Sequence, residues 1–186
     1  MVGVVMIKLL KTISTGLLLL ISYCLNASSV LAYDVVISQR DMQHSIEPFM
    51  PITQQAGPVT LLVERADIRL VAGSDRIYVD LALAMSVYNQ KTGDARAVIS
   101  GQPYYDKKTN CFYLRDASLS DFHSPQLQPI FFRDIEELAS LALATVFTDI
   151  PLYKLSDKTA EERSAKFFLQ TVVIKNGQLV AEMALF

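Results

Sequence analysis

From Ile77 to Val87 the chain alternates without a break, with Ile77, Val79, Leu81, Leu83, Met85 and Val87 on one face and Tyr78, Asp80, Ala82, Ala84, Ser86 and Tyr88 on the other. That period of two predicts a strand over 76–88 with one face in a core. Between Pro58 and Ala72 the pattern is similar but changes phase. Val59, Leu61 and Val63 share one parity and Ala66, Ile68 and Leu70 the other, so a bulge is expected near Glu64-Arg65. Asn89 to Asp94, which includes Gly93, reads as a turn, followed by a strand from Ala95 to Tyr105 and a polar turn over 106–110. A further strand opens at Cys111 and shifts from Phe112 and Leu114 to Ala117 and Leu119, which places a second bend near Arg115-Asp116.

Three segments carry a helical signal instead. Ser38 and Asp41 have the spacing of a capping box, Ile37 is placed to staple onto Met42, and Pro48 and Pro51 end the helix. After Pro129 the period becomes 3.6, predicting a helix over 130–148 about 28 Å long. Its apolar residues Phe131, Phe132, Ile135, Leu138, Ala139, Ala142, Leu143, Val146 and Phe147 fill about half the helical circumference. Such a stripe suits a helix embraced by a concave surface. Pro151 to Leu155 reads as an extended connector, and Thr159 with Glu162 opens a last helix running to about Leu169. Asn176-Gly177, set between apolar runs, predicts a terminal hairpin. The expected fold is α+β: a strongly curved antiparallel sheet wrapped around a long α-helix, preceded by a short N-terminal helix.

The first 32 residues form three zones: Lys8 and Lys11, an apolar run through Leu17 to Ile21, and a small-residue stretch ending Val30-Leu31-Ala32. This is the pattern of a secretory signal peptide, with cleavage expected after Ala32, residues 33–186 forming one domain, and a periplasmic destination. The alternative is a membrane-tethered lipoprotein acylated at Cys24. In that case Tyr23 stands where Gly, Ala or Ser normally precedes the modified Cys. An uncleaved anchor fits less well, because Ile13 to Leu25 falls short of the roughly 20 apolar residues a span needs.

The chain has 17 basic and 19 acidic side chains, and loss of the leader removes two of the basic ones. That balance provides no footprint for nucleic acid. Cleavage leaves Cys111 as a lone thiol at the start of an apolar strand, better read as a small packed side chain than as a nucleophile. His44 and His123 lie far apart with no second ligand at metal spacing, and neither a G-x-S-x-G elbow nor a phosphate-cradling glycine loop occurs. The pairs Glu136-Glu137 and Glu161-Glu162 read as solvated helix faces. No catalysis, metal or cofactor is expected.

What remains is apolar surface. Val79, Leu81, Leu83 and Met85 on the long strand and Phe131, Ile135, Leu138, Ala142 and Val146 on the long helix are the expected ligand-binding residues. A lipid or fatty-acyl ligand would lie between them in a groove. Ala142 separates the two readings of this interior: a large side chain there would overpack a dry core or compete with a ligand chain, and competition, with stability little changed, is the expectation. The alternative reading is a structural or interaction module with a packed interior that docks on an envelope protein partner.

Five stretches carry a resemblance. Ser38-Gln39-Arg40-Asp41-Met42, Val79-Asp80-Leu81-Ala82-Leu83, Pro103-Tyr104-Tyr105-Asp106-Lys107 leading into Phe112-Tyr113-Leu114-Arg115-Asp116-Ala117, Pro151-Leu152-Tyr153-Lys154-Leu155 and Val172-Val173-Ile174-Lys175-Asn176-Gly177 follow one another as in the YceB-like envelope lipoproteins, a family of unknown function that the chain resembles almost end to end after the leader. The resemblance implies a fold related to the tubular lipid-binding (TULIP, BPI-like) proteins and no known reaction.

Overall fold

A computed structural model of the chain describes residues 34–183, and the leader, its cleavage point and Cys24 lie outside them. Nine strands and three α-helices follow in order: β1 (Asp34–Ile37), α1 (Gln39–Ile46), a 3-10 turn (Glu47–Phe49), β2 (Ile52–Ala56), β3 (Val59–Leu70), β4 (Ile77–Val87), β5 (Gln90–Asp106), β6 (Cys111–His123), α2 (Pro129–Asp149), β7 (Tyr153–Lys154), α3 (Ala160–Phe168), β8 (Leu169–Lys175) and β9 (Gln178–Met183). Strands β2 to β7 form one antiparallel sheet in chain order, and β1-β9-β8 a second, smaller one.

The large sheet is curved, and α2 packs against both β2, the first strand of its order, and β6, the fifth. Bulges supply the bending. One falls between Val63 and Arg65, where the parity switch of β3 places it, and another lies where β6 passes Ser100 to Gln102, at Asp116-Ala117. The second bulge releases carbonyls from the ladder, and Arg76 collects them: its guanidinium donates to the carbonyl oxygens of Ser100 (2.8 Å) and Asp116 (3.0 Å) and to the hydroxyls of Ser100 (3.1 Å) and Ser118 (3.3 Å).

One face of the sheet is dry. Val59, Leu61, Val63, Ala66, Ile68, Ile77, Val79, Leu81, Leu83, Met85, Ala97, Ile99, Phe112 and Leu114 form one continuous core with Ile135, Ala139, Leu143 and Phe147 of α2. The rings of Phe122 on β6 and Phe132 on α2 meet at a centroid distance of 5.8 Å. The opposite face carries charge, with Arg69 forked onto Asp80 at 2.9 and 3.0 Å.

Strand β2 begins at Ile52, opposite Val63, which leaves the outer edge of β3 open from Arg65 onward. Helix α1 closes it. The helix begins where the Ser38–Asp41 capping box places it, and Gln39 and Gln43, one turn apart, project onto the open edge. Gln43 Nε2 donates to the Ala66 carbonyl (2.9 Å), while Gln43 Oε1 accepts from Ile68 N (2.9 Å) and Gln39 Oε1 from Leu70 N (3.1 Å). Two side chains thereby stand in for a missing strand.

Several expectations are corrected. The β4–β5 turn is Tyr88-Asn89 alone, both at positive φ (50° and 62°), and Gln90 to Asp94 already belong to β5. Gly93 serves a β-bulge opposite Met85 rather than the turn. Strands β1 and β2 have no counterpart in the pattern reading, since four residues and a Thr-Gln-Gln run carry too little alternation. The connector after Pro151 pairs as β7 with Cys111 and Phe112 of β6. Finally, the buried stripe of α2, Ile135, Ala139, Ala142, Leu143, Val146 and Phe147, is narrower than the predicted half circumference, because Phe131 at its margin is 54 % exposed. This is the stripe of a helix lying on a curved sheet with one side open to solvent.

Candidate functional site: an apolar groove at the start of the long helix

Four pieces of chain meet at the N-terminal end of α2. The β2–β3 hairpin brings Pro58 and Val59, and the β4–β5 hairpin brings Val87 from β4, Tyr88 from the turn and Thr92 from β5. The loop ahead of the helix adds Gln126, Leu127 and Gln128, and the first turns of α2 add Phe131, Asp134, Ile135 and Leu138. Together they enclose a groove of about 520 Å³, within the size range of small-ligand sites.

Each wall is fixed by local chemistry. The two turns are tied by Tyr88 N donating to the Pro58 carbonyl at 2.8 Å. The loop is tied to β5 by the buried Ser124, whose hydroxyl donates to the Asp94 carbonyl at 3.4 Å. Gln126 lies directly over Gly93, where a β-carbon would stand 2.8 Å from its carboxamide carbon, so the absence of a side chain at Gly93 admits the glutamine to the groove. Pro129 starts the helix at a position where a missing N–H costs nothing.

The mouth is apolar and uncovered. Of its lining residues Tyr88 is 78 % exposed and Phe131 54 % exposed. Tyr88 holds this position at a φ of 50°, a conformation costly for a side chain with a β-carbon.

Of the nine residues expected to bind a ligand, Phe131, Ile135 and Leu138 line this groove. The other six lie in the core: Val79 and Met85 fully buried, Leu81 and Leu83 nearly so, and Ala142 and Val146 each 8 % exposed. Pro58, Val87, Tyr88, Thr92 and Gln126 to Gln128 were not marked by the sequence, because they reach the site from turns separated by tens of residues. The only local signal was the turn read over Asn89 to Asp94, beside Tyr88.

His44 places Nδ1 2.9 Å from the Arg40 carbonyl on an exposed helix face, and Cys111 is buried with its thiol donating to the Thr109 carbonyl at 3.4 Å. Glu162 departs from the solvated-face expectation. Its carboxylate accepts from the Tyr153 hydroxyl (2.9 Å), Ser156 N (2.6 Å) and the Ser156 hydroxyl (2.5 Å). It is thus occupied with the connector instead of reaching back to Thr159, which caps the Glu162 amide from its own hydroxyl at 3.2 Å. Burial pushes the Glu162 carboxyl up, but the hydrogen bonds from Ser156 and Tyr153 outweigh it and leave the group below its ordinary range. Burial and the bond to Glu162 push the Tyr153 phenol up to about 12. Among the described residues no cluster of three His, Cys, Asp or Glu is placed to hold a metal ion, and no helix is long and apolar enough to cross a membrane.

What fold and site define is an α+β domain with a curved six-stranded antiparallel sheet, three helices and an apolar groove where the longest helix begins. Residues 37–178 match the family described as Protein of unknown function (DUF1439), and the chain belongs to that family. No curated protein matches it.

Proposed function

We propose that the protein is an exported, non-enzymatic component of the cell envelope that binds a lipid or other apolar ligand, with the groove at the start of α2 as the entry to its site. The observation that carries this reading is the combination of an apolar groove of about 520 Å³ with exposed Tyr88 and Phe131 at its mouth. Solvated aromatic surface is retained against its hydration cost where it meets an apolar partner. The curved sheet with α2 against β2 and β6 also fits a relation to the tubular lipid-binding half barrels, as does the resemblance to the YceB-like lipoproteins. That relation bears on fold alone.

The test is mass spectrometry of an organic extract of the protein purified from the envelope fraction without detergent. A stoichiometric apolar molecule, lost in Phe131→Glu, a change at an exposed groove position, with the melting temperature kept, is the expected result, and Tyr33 is the expected first residue of the exported chain. An acylated Cys24 would instead make it a membrane-tethered lipoprotein. The continuity of the core through Val79, Leu83 and Leu143 favours a second reading, an interaction module that docks on an envelope protein partner. An empty extract would select it.

A further inference from the structure

The groove's walls also restrict what kind of apolar molecule it accepts, an inference that rests on the binding function proposed above. Its volume of about 520 Å³ holds on the order of 15–20 water-sized groups at about 30 Å³ each. That is room for one hydrocarbon chain with a small head, and too little for a lipid with two long chains. Besides the Tyr88 phenol, four lining side chains are polar: Thr92, Gln126, Gln128 and Asp134. A hydroxyl and two carboxamides offer both donors and acceptors to a polar head. The single charged lining group is the Asp134 carboxylate, and among the described residues that line the groove none is Lys, Arg or His.

A helix begins at this groove, and its positive end would ordinarily attract an anion. Here that attraction is blunted. Pro129, the first helical residue, has no N–H, and the N–H of Phe131 is already donated to the Gln128 carbonyl at 3.0 Å. Two of the first three helical positions therefore offer no free donor, while Asp134 sets a full negative charge in the wall. A carboxylate or phosphate head would face like charge with no cation to offset it.

We infer that the groove takes a single-chain amphiphile whose head group is hydrogen-bonding and carries no negative charge, and that Asp134 is the residue that excludes anionic heads. The experiment titrates the full-length protein, purified without detergent, with a monoacylglycerol and with the fatty acid of the same chain length, both below their aggregation concentrations at neutral pH. Calorimetry is the readout. The monoacylglycerol is expected to bind at least tenfold tighter, and Asp134→Asn, a change at an exposed position, is expected to narrow the ratio to a few-fold by strengthening fatty-acid binding. Equal or tighter binding of the fatty acid to the parent protein would overturn the head-group assignment and leave the groove standing as a ligand site. An unchanged ratio in Asp134→Asn would overturn the role of that residue. Binding of neither probe would overturn the ligand-binding reading itself.

Discussion

Gln43 and Ile68 are joined across two elements as neighbouring strands would be, with the Ile68 N–H donating to Gln43 Oε1 at 2.9 Å while the same carboxamide donates to the Ala66 carbonyl at 2.9 Å. A side chain on α1 thus closes the exposed edge of β3. Gln43→Ala leaves both backbone groups without partners and is expected to cost about 1–3 kcal/mol. Gln43→Glu keeps the acceptor for Ile68 but turns a carboxylate oxygen toward the Ala66 carbonyl, so it should be destabilised too. Denaturant midpoints of the two variants check this, and a parent-like midpoint for Gln43→Ala would show that the edge needs no cover.

Gly93 and Gln126 are the corresponding pair at the groove. A methyl group on Gly93 meets the Gln126 side chain at 2.8 to 2.9 Å and must also adopt a φ of +143°. Gly93→Ala is therefore expected to cost about 1–3 kcal/mol and to move the loop that carries Gln126 to Gln128. In Gly93→Ala with Gln126→Ala the clash is absent and part of the stability should return, which a double-mutant cycle measures.

Tyr88 separates structure from binding. At φ 50° glycine is at ease, and the relief of about 1–2 kcal/mol is opposed by the extra freedom of glycine in the unfolded chain, about 0.5–1 kcal/mol. Tyr88→Gly should keep or slightly raise the melting temperature while weakening retention of a bound apolar molecule. A fall in stability with unchanged retention would assign Tyr88 to the turn alone.

The Tyr153–Glu162 pair predicts two pH limbs. Glu162 titrates below its ordinary 4.5 in the folded protein, so its contribution is complete above that value and is lost as pH falls through the depressed one. Tyr153 is raised from 10.0 to about 12, so its contribution is complete below 10.0 and is lost as pH rises through the folded value. Denaturant unfolding across pH should show Glu162→Gln flattening the acid limb and Tyr153→Phe the alkaline one.

Ala142 lies in the core at 8 % exposure and outside the walls of the groove. Ala142→Phe is expected to overpack, cost about 1–3 kcal/mol and leave binding at the groove intact. The opposite pattern, unchanged melting with lost binding, would show that a ligand chain runs deep along α2.

The elements with long, regular periodicity were legible in the sequence for a direct reason: a strand such as β4 buries every second residue and a helix such as α2 one stripe, and each leaves that period in the order of side chains. The bulge at Glu64, the capping of α1 by Ser38 and Asp41, the start of α3 at Thr159 and the turn at Asn176-Gly177 were legible too, because each depends on residues within a few positions of one another. Strand β2 was not, since Thr53-Gln54-Gln55 becomes a strand only by pairing with β3. Nor was the role of Glu162, whose partners Tyr153 and Ser156 lie in and just after a connector that the pattern marked only as extended. The groove is the extreme case. Phe131, Ile135 and Leu138 carried an apolar signal, but Pro58, Tyr88 and Gln126 come from three separate turns and meet only because the sheet is bent far enough to bring β2 and β6 to one helix. Sequence order alone determined where the chain is periodic and where it turns; the curvature, a sum of bulges and long-range packing, decided which of those apolar faces stay open.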